Sequence, residues 1–116
     1  MRKKISIIGC GAIGSELALS VDGDMGKNVA LLSLFDIRPD NAKTVKSKLS
    51  NNDPVIFDNF SDYVNSESFK DVELVIEAAS QNALTSYLNQ LILSKKDVLV
   101  MSVGAFANSE FFSEVI

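Results

Sequence analysis

Three glycines at the spacing Gly9-x-Gly11-x-x-Gly14 constrain this chain more than any other feature of it. They follow directly on the apolar run of residues 4–8, and they open a stretch in which Ile13, Leu17 and Val21 recur at helical spacing. A strand, a tight turn and a helix are therefore predicted in immediate succession. At such a junction the first glycine permits the turn and the second removes a Cβ from the path of an approaching ligand. The third lets helix and strand pack closely. The helix start then offers backbone N–H groups, here those around Ala12 and Ile13, and the positive end of its dipole to an anion. The glycine spacing alone is unspecific; the strand before it and the helix after it give it a phosphate-binding context.

The rest of the sequence repeats the same two patterns in turn. Residues 22–28 are rich in turn formers and end the first helix. Residues 29–35 form a second apolar run. Pro39 suits a helix start, with Ala42, Val45 and Leu49 at helical spacing behind it. A turn over residues 51–54 leads to a third strand at 55–57. Residues 61–69 fit a short helix or an irregular connection equally well. The fourth strand lies within residues 72–79. Leu84, Leu88, Leu91 and Ile92 mark a helix over 82–94, and residues 98–101 form a fifth strand. Asn108 or Ser109 caps a last helix, which reads as cut off at residue 116. Strands alternating with helices imply parallel pairing through right-handed crossovers. Near-continuous apolar strands fit a sheet covered on both faces. The expected architecture is α/β: a Rossmann-type, doubly wound parallel sheet of about five strands, one dinucleotide-binding domain over residues 1–116.

Composition narrows the function. Hydrophobic residues make up 47% and charged residues 22%, as in soluble globular domains. A net charge of −4 weighs against nucleic acid as the partner. No stretch approaches the roughly 20 apolar residues of a membrane span. Glycines interrupt the first apolar run too early for a signal peptide, so the chain reads as cytoplasmic. The single cysteine, Cys10, excludes an internal disulfide and reads as a small buried filler. No metal-ligand cluster is apparent. The sequence contains no histidine, the commonest general acid or base near neutral pH, and no catalytic residue is assigned.

The second apolar run ends in Asp36, 22 residues after Gly14. A carboxylate there can accept both hydroxyl hydrogens of an adenosine ribose and would repel a 2′-phosphate, which favours NAD over NADP. Arg38 keeps NADP open, because its guanidinium could pair with that phosphate or stack on adenine. In a doubly wound sheet, ligands lie outside the carboxyl ends of the strands, where strand order reverses. The fourth strand ends there in Glu77-Ala78-Ala79-Ser80-Gln81 and the fifth in Ser102-Val103-Gly104. The small residues Ala78, Ala79, Ser80, Ser102 and Gly104 would let a flat ring lie against the backbone. Ser80 can equally cap the next helix, and Gly104 can simply supply a positive φ. Glu77 is a charge on an otherwise apolar strand, held by pairing or hydrogen bonding at the strand end.

The segments Val75-Ile76-Glu77-Ala78-Ala79-Ser80-Gln81, Tyr87 and residues 96–107, together with the glycine loop, resemble the N-terminal domain of the L-aspartate dehydrogenase family. The resemblance covers essentially the whole chain. It implies an oxidoreductase that passes a hydride between the aspartate α-carbon and a nicotinamide, interconverting L-aspartate with iminoaspartate or oxaloacetate in the service of NAD biosynthesis. It also implies that a second, C-terminal domain supplies the substrate pocket, the catalytic histidine and the dimer contacts. The 116 residues alone are expected to bind cofactor without turnover. Two other readings use the same glycine loop: an NAD(H)-sensing regulatory module that changes an oligomer contact, and the cofactor domain of a homoserine dehydrogenase or dihydrodipicolinate reductase relative.

Overall fold

A computed structural model describes residues 3–23, 28–79, 91 and 94–101. Over these residues the chain runs β1 (Lys3–Ile8), α1 (Ala12–Asp22), β2 (Val29–Phe35), α2 (Pro39–Ser47), β3 (Val55–Phe57), α3 (Phe60–Val64), α4 (Glu67–Asp71), β4 (Leu74–Glu77) and β5 (Asp97–Val100). The strands form one parallel sheet in the order β3-β2-β1-β4-β5. The chain therefore winds outward from β1 in one direction through β2 and β3, then returns to the other side of β1 for β4. That reversal is the switch point of a doubly wound sheet, and it falls between β1 and β4 as the sequence implied.

Each face of the sheet carries its own core. On one side Ile5, Ile7, Leu31, Leu34 and Ile76 pack against Ala18 and Val21 of α1 and Ala42 and Val45 of α2. On the other, Ile8, Phe35 and Val75 meet Tyr63 of α3, Phe69 of α4 and Leu91. The buried face of α1 is Gly14, Ala18, Val21 and Asp22. Ile13, which shares its helical spacing, is instead 43% exposed. The small Gly14 and Ala18 bring the helix close, and Ile13 at its first turn overhangs the loop end.

Two features went beyond the periodicity. Residues 61–69, ambiguous in sequence, fall within two short helices, α3 and α4, and the two residues that join them. The Asn59 side chain caps α3 by accepting from the Asp62 N–H, and Ser66 caps α4 by accepting from the Phe69 N–H. They deliver Tyr63, wholly buried among Phe35, Phe57, Phe60 and Phe69. Its hydroxyl lies 2.7 Å from Ser6 Oγ. Between Ile5 and Ser6 the β1–β2 register slips by one residue, which brings Ser33 opposite Ser6. Ser33 Oγ donates to Ser6 Oγ (2.7 Å), and Ser6 Oγ donates to the Ser33 carbonyl (3.1 Å). The two buried serines, each among apolar neighbours, are thus satisfied.

Asp22 closes α1 in the same manner. Its carboxylate accepts from the N–H groups of Ser50 (2.7 Å) and Asn51 (2.8 Å) and from Asn52 Nδ2 (3.0 Å). Asn52 Oδ1 in turn accepts from the Leu31 N–H. Burial alone would raise the Asp22 carboxyl, but these hydrogen bonds outweigh it and hold it below the usual carboxylate range.

Candidate functional site

The turn after β1 is seated between its two neighbouring strands. The Gly9 N–H donates to the Phe35 carbonyl at the end of β2 (2.7 Å), and the Ala78 N–H donates to the Ile8 carbonyl (2.8 Å). Gly9 has φ +95, in the region that favours glycine, and a Cβ on it would lie 2.7 Å from the Ala79 backbone. A Cβ on Gly14 would lie 1.8 Å from the Gly9 carbonyl oxygen. A Cβ on Gly11 would have no heavy atom within 4 Å. Gly9 and Gly14 are therefore required by the protein's own packing. Gly11, with φ −77, is required by neither packing nor backbone conformation, and faces open space.

That space is a cleft of about 500 Å³. Gly9, Gly11, Ala12 and Ile13 form its floor, Ala78 and Ala79 the β4 side, and Asp36, Ile37, Arg38 and Asn41 the β2 side. Gly11 caps α1 without a side-chain hydrogen bond, and the first turn of the helix holds no acid. The leading N–H groups and the helix dipole are thus left to a ligand. Asp36 is 9% exposed and held rigidly. Its Oδ2 accepts from the Cys10 N–H and its Oδ1 from the Arg38 N–H, both at 2.8 Å. A carboxylate has about four acceptor positions, so two remain for a diol. The Cys10 thiol beside it is buried; burial and, secondarily, the Asp36 charge push it up to about 12. Cys10 is a packing residue and not a nucleophile at neutral pH.

Of the residues singled out in the sequence, the cleft gathers Gly9, Gly11, Ala12, Ile13, Asp36, Arg38, Ala78 and Ala79. Gly14 lies one layer beneath, under the Gly9 carbonyl. Ser80, Ser102 and Gly104 lie outside the described residues. Sequence reasoning missed Ile37 and Asn41. Ile37 is 68% exposed, an apolar residue directly behind a strand-end acid, and that juxtaposition was the available signal. Asn41 follows from Pro39 fixing the helix start, which places it on the first turn of α2. Glu77 is wholly buried, and its Oε2 accepts from the N–H of Ala79 at 2.9 Å. Among the described residues no cluster of side chains could hold a metal ion, and no helix is long and apolar enough to cross a membrane.

A floor with no side chain at Gly9 and Gly11, an uncapped helix end beside it and a fixed carboxylate on the next strand fit a dinucleotide: phosphates at the floor, a ribose diol at the acid. The fold and the cleft define a nucleotide-binding Rossmann domain. The chain belongs to the family described as the NAD-binding domain of homoserine dehydrogenase, whose model matches residues 9–116, and its cofactor is accordingly a nicotinamide dinucleotide. It is also similar to L-aspartate dehydrogenases, with 36% identity over 107 residues to that of Methanococcoides burtonii and 36% over 109 residues to that of Methanocaldococcus jannaschii. These alignments cover 92% and 94% of this chain but 37% and 38% of the relatives, so the chain spans little more than a third of their length. Among solved structures, aspartate dehydrogenase from Thermotoga maritima shares the fold with a TM-score of 0.59 at 23% identity, covering 99% of this chain and 40% of that one. The myo-inositol dehydrogenase of Lactobacillus casei, solved with NAD(H) and myo-inositol, shares it with a TM-score of 0.73 at 13% identity, covering 86% and 28%.

Proposed function

We propose that this chain is the cofactor-binding part of an L-aspartate dehydrogenase, that it takes NAD in preference to NADP, and that the full protein interconverts L-aspartate and iminoaspartate in the cytoplasm for NAD biosynthesis. The observation that carries the reading is the pairing of an uncapped α1 N-terminus above Gly11 with the doubly anchored carboxylate of Asp36. In this reading the amides near Gly11, Ala12 and Ile13 hold the pyrophosphate, and Gly9 and Gly14 let the loop lie low enough to receive it. Asp36 grips the adenosine ribose, with Ile37, Arg38 and Asn41 beside the adenine. Ala78 and Ala79, joined on the strength of the sequence by Ser80, Ser102 and Gly104, flank the nicotinamide. The bound dinucleotide supplies the hydride acceptor; these residues orient it and exclude water. Substrate binding and proton transfer are assigned to the C-terminal domain that the resemblance to L-aspartate dehydrogenases implies, since the sequence holds no histidine. The similarity to L-aspartate dehydrogenases over more than nine-tenths of the chain supports the substrate. The net charge of −4 supports the absence of a nucleic-acid partner.

Calorimetric titration of the chain with NADH and NADPH tests the assignment. NADH is expected to bind more tightly, and aspartate with NAD to give no NADH. In Asp36→Ala the NADPH-to-NADH affinity ratio is expected to rise about tenfold, one lost charge-assisted contact being worth about 1.5–3 kcal/mol. The variant should also lose about 2–4 kcal/mol of stability, because the Cys10 and Arg38 amides lose their acceptor. An unchanged affinity ratio would remove Asp36 from the ribose.

A further inference from the structure

Glu77 is the one wholly buried carboxylate among the described residues, and nothing above gives it a task. In the register of the sheet it stands between Ile8 of β1 and Val100 of β5. Its partner Ile8 belongs to the apolar core beneath α3 and α4, so the acid occupies a position where an aliphatic side chain would be expected. Burying a carboxylate costs several kcal/mol unless its oxygens are bonded. A sequence that keeps one at such a position uses it for something besides filling space.

One bond that it makes points to that use. Glu77 Oε2 accepts from the Ala79 N–H at 2.9 Å, closing a short loop over Ala78 just as the chain leaves β4. Ala78 and Ala79 are the β4 wall of the cleft. The same Ala79 backbone is what a Cβ on Gly9 would strike, and Gly9 in turn bears on Gly14. The carboxylate, the Ala79 amide, Gly9 and the start of α1 thus form one stack of direct contacts across the switch point. The backbone of Glu77 is fixed as well, its carbonyl accepting from the Met101 N–H at 2.7 Å. An acceptor held at this depth sets where Ala79 stands, and Ala79 sets the width of the cleft over the glycine floor.

We propose that Glu77 is a positioning residue for the dinucleotide: it touches no ligand, but by holding the Ala79 amide it presets the β4 wall so that the cofactor meets a ready-made slot. The proposal rests on the cleft reading above. It requires an oxygen acceptor at this position, so Glu77→Gln should keep NADH affinity within about twofold, while Glu77→Leu should lose it about tenfold or more. A purely structural role gives no such separation in folded variants: Glu77→Leu, which leaves the Ala79 N–H without its acceptor, would then lower the melting temperature and still bind NADH like wild type. The experiment is NADH titration of the wild-type chain and both variants, each with a thermal melt, together with amide exchange at Ala79 in the nucleotide-free wild type.

A folded Glu77→Leu variant with weakened NADH binding, a near-normal Glu77→Gln and a slowly exchanging Ala79 amide are the expected results. A folded Glu77→Leu variant that binds like wild type would overturn the proposal, as would a Glu77→Gln variant that loses as much as Glu77→Leu. Should Glu77→Leu not fold, exchange decides: an Ala79 amide that exchanges as freely as in an unstructured peptide means that Glu77 does not hold the wall. Wild type that fails to bind NADH at millimolar concentration strikes the cleft reading instead, and the Ala79 exchange still tests the positioning role.

Discussion

Gly11 and Gly14 are three residues apart, yet a methyl group added to one should do the reverse of a methyl group added to the other. Gly11 has φ −77 and open space where its Cβ would stand. Gly11→Ala is therefore expected to leave stability within about 0.5 kcal/mol while weakening NADH binding about tenfold or more, because the new methyl group occupies the phosphate's place. In Gly14→Ala the Cβ would fall 1.8 Å from the Gly9 oxygen, so backbone must move, at a cost of about 1–3 kcal/mol or more. Denaturant midpoints beside NADH titrations separate the two; a Gly11→Ala variant that binds normally would place the phosphates elsewhere. Cys10 gives a second prediction at this scale. With the folded thiol pushed up to about 12, only about one molecule in ten thousand carries a thiolate at pH 8, so a thiol reagent should label the native chain very slowly and the denatured chain at once. The sign of the linked pH effect follows. The unfolded thiol releases its proton near 9 and the folded one does not, so this contribution to stability is lost as pH rises above about 9. Cys10→Ala should flatten that part of the alkaline slope.

Short helices α3 and α4 show what periodicity cannot carry. Five residues each are too few for a helical stripe, and what holds them is capping by Asn59 and Ser66 together with the burial of Tyr63 and Phe69. Tyr63 anchors the element by its ring more than by its hydroxyl. With the Ser6 hydrogen given to the Ser33 carbonyl, the phenol is the donor to Ser6, and removing it leaves no donor of Ser6 or Ser33 unmet. Tyr63→Phe should cost about 1 kcal/mol in urea unfolding, and Tyr63→Ala about 3–5 kcal/mol. Equal costs would mean that the serine network, not the aromatic cluster, holds α3 down. The strands were legible because each is an apolar run bounded by turn formers. The spacing of Ile13, Leu17 and Val21 identified the helix, but not that Ile13, at its first turn, stands exposed at the cleft while Val21 is buried. Nor could spacing show that Ser6 and Ser33 face each other, since that depends on a register slip.

For the molecule as a whole, strand order decides where the ligand goes. Because β2 and β4 flank β1 on opposite sides, the Gly9 turn, the Asp36 carboxylate and the Ala78–Ala79 wall come to one sheet edge from three separate parts of the chain. Their convergence was readable from sequence because the glycine loop and the strand-end acid are spaced by the length of one helix and one strand. The sequence showed that Glu77 must be held by pairing or hydrogen bonding at its strand end, but not that the Ala79 amide holds it; nor did it show that Asp36 bonds the Arg38 amide of its own strand end and the Cys10 amide of the neighbouring one. The central claim, that linked phosphates rest on the first turn of α1, is tested most directly by backbone amide NMR of the chain titrated with NADH. The largest shifts should fall on the amides of Gly11, Ala12 and Ile13, with a second group at Asp36 to Arg38. Saturable binding that leaves those amides unmoved and shifts others instead would contradict it.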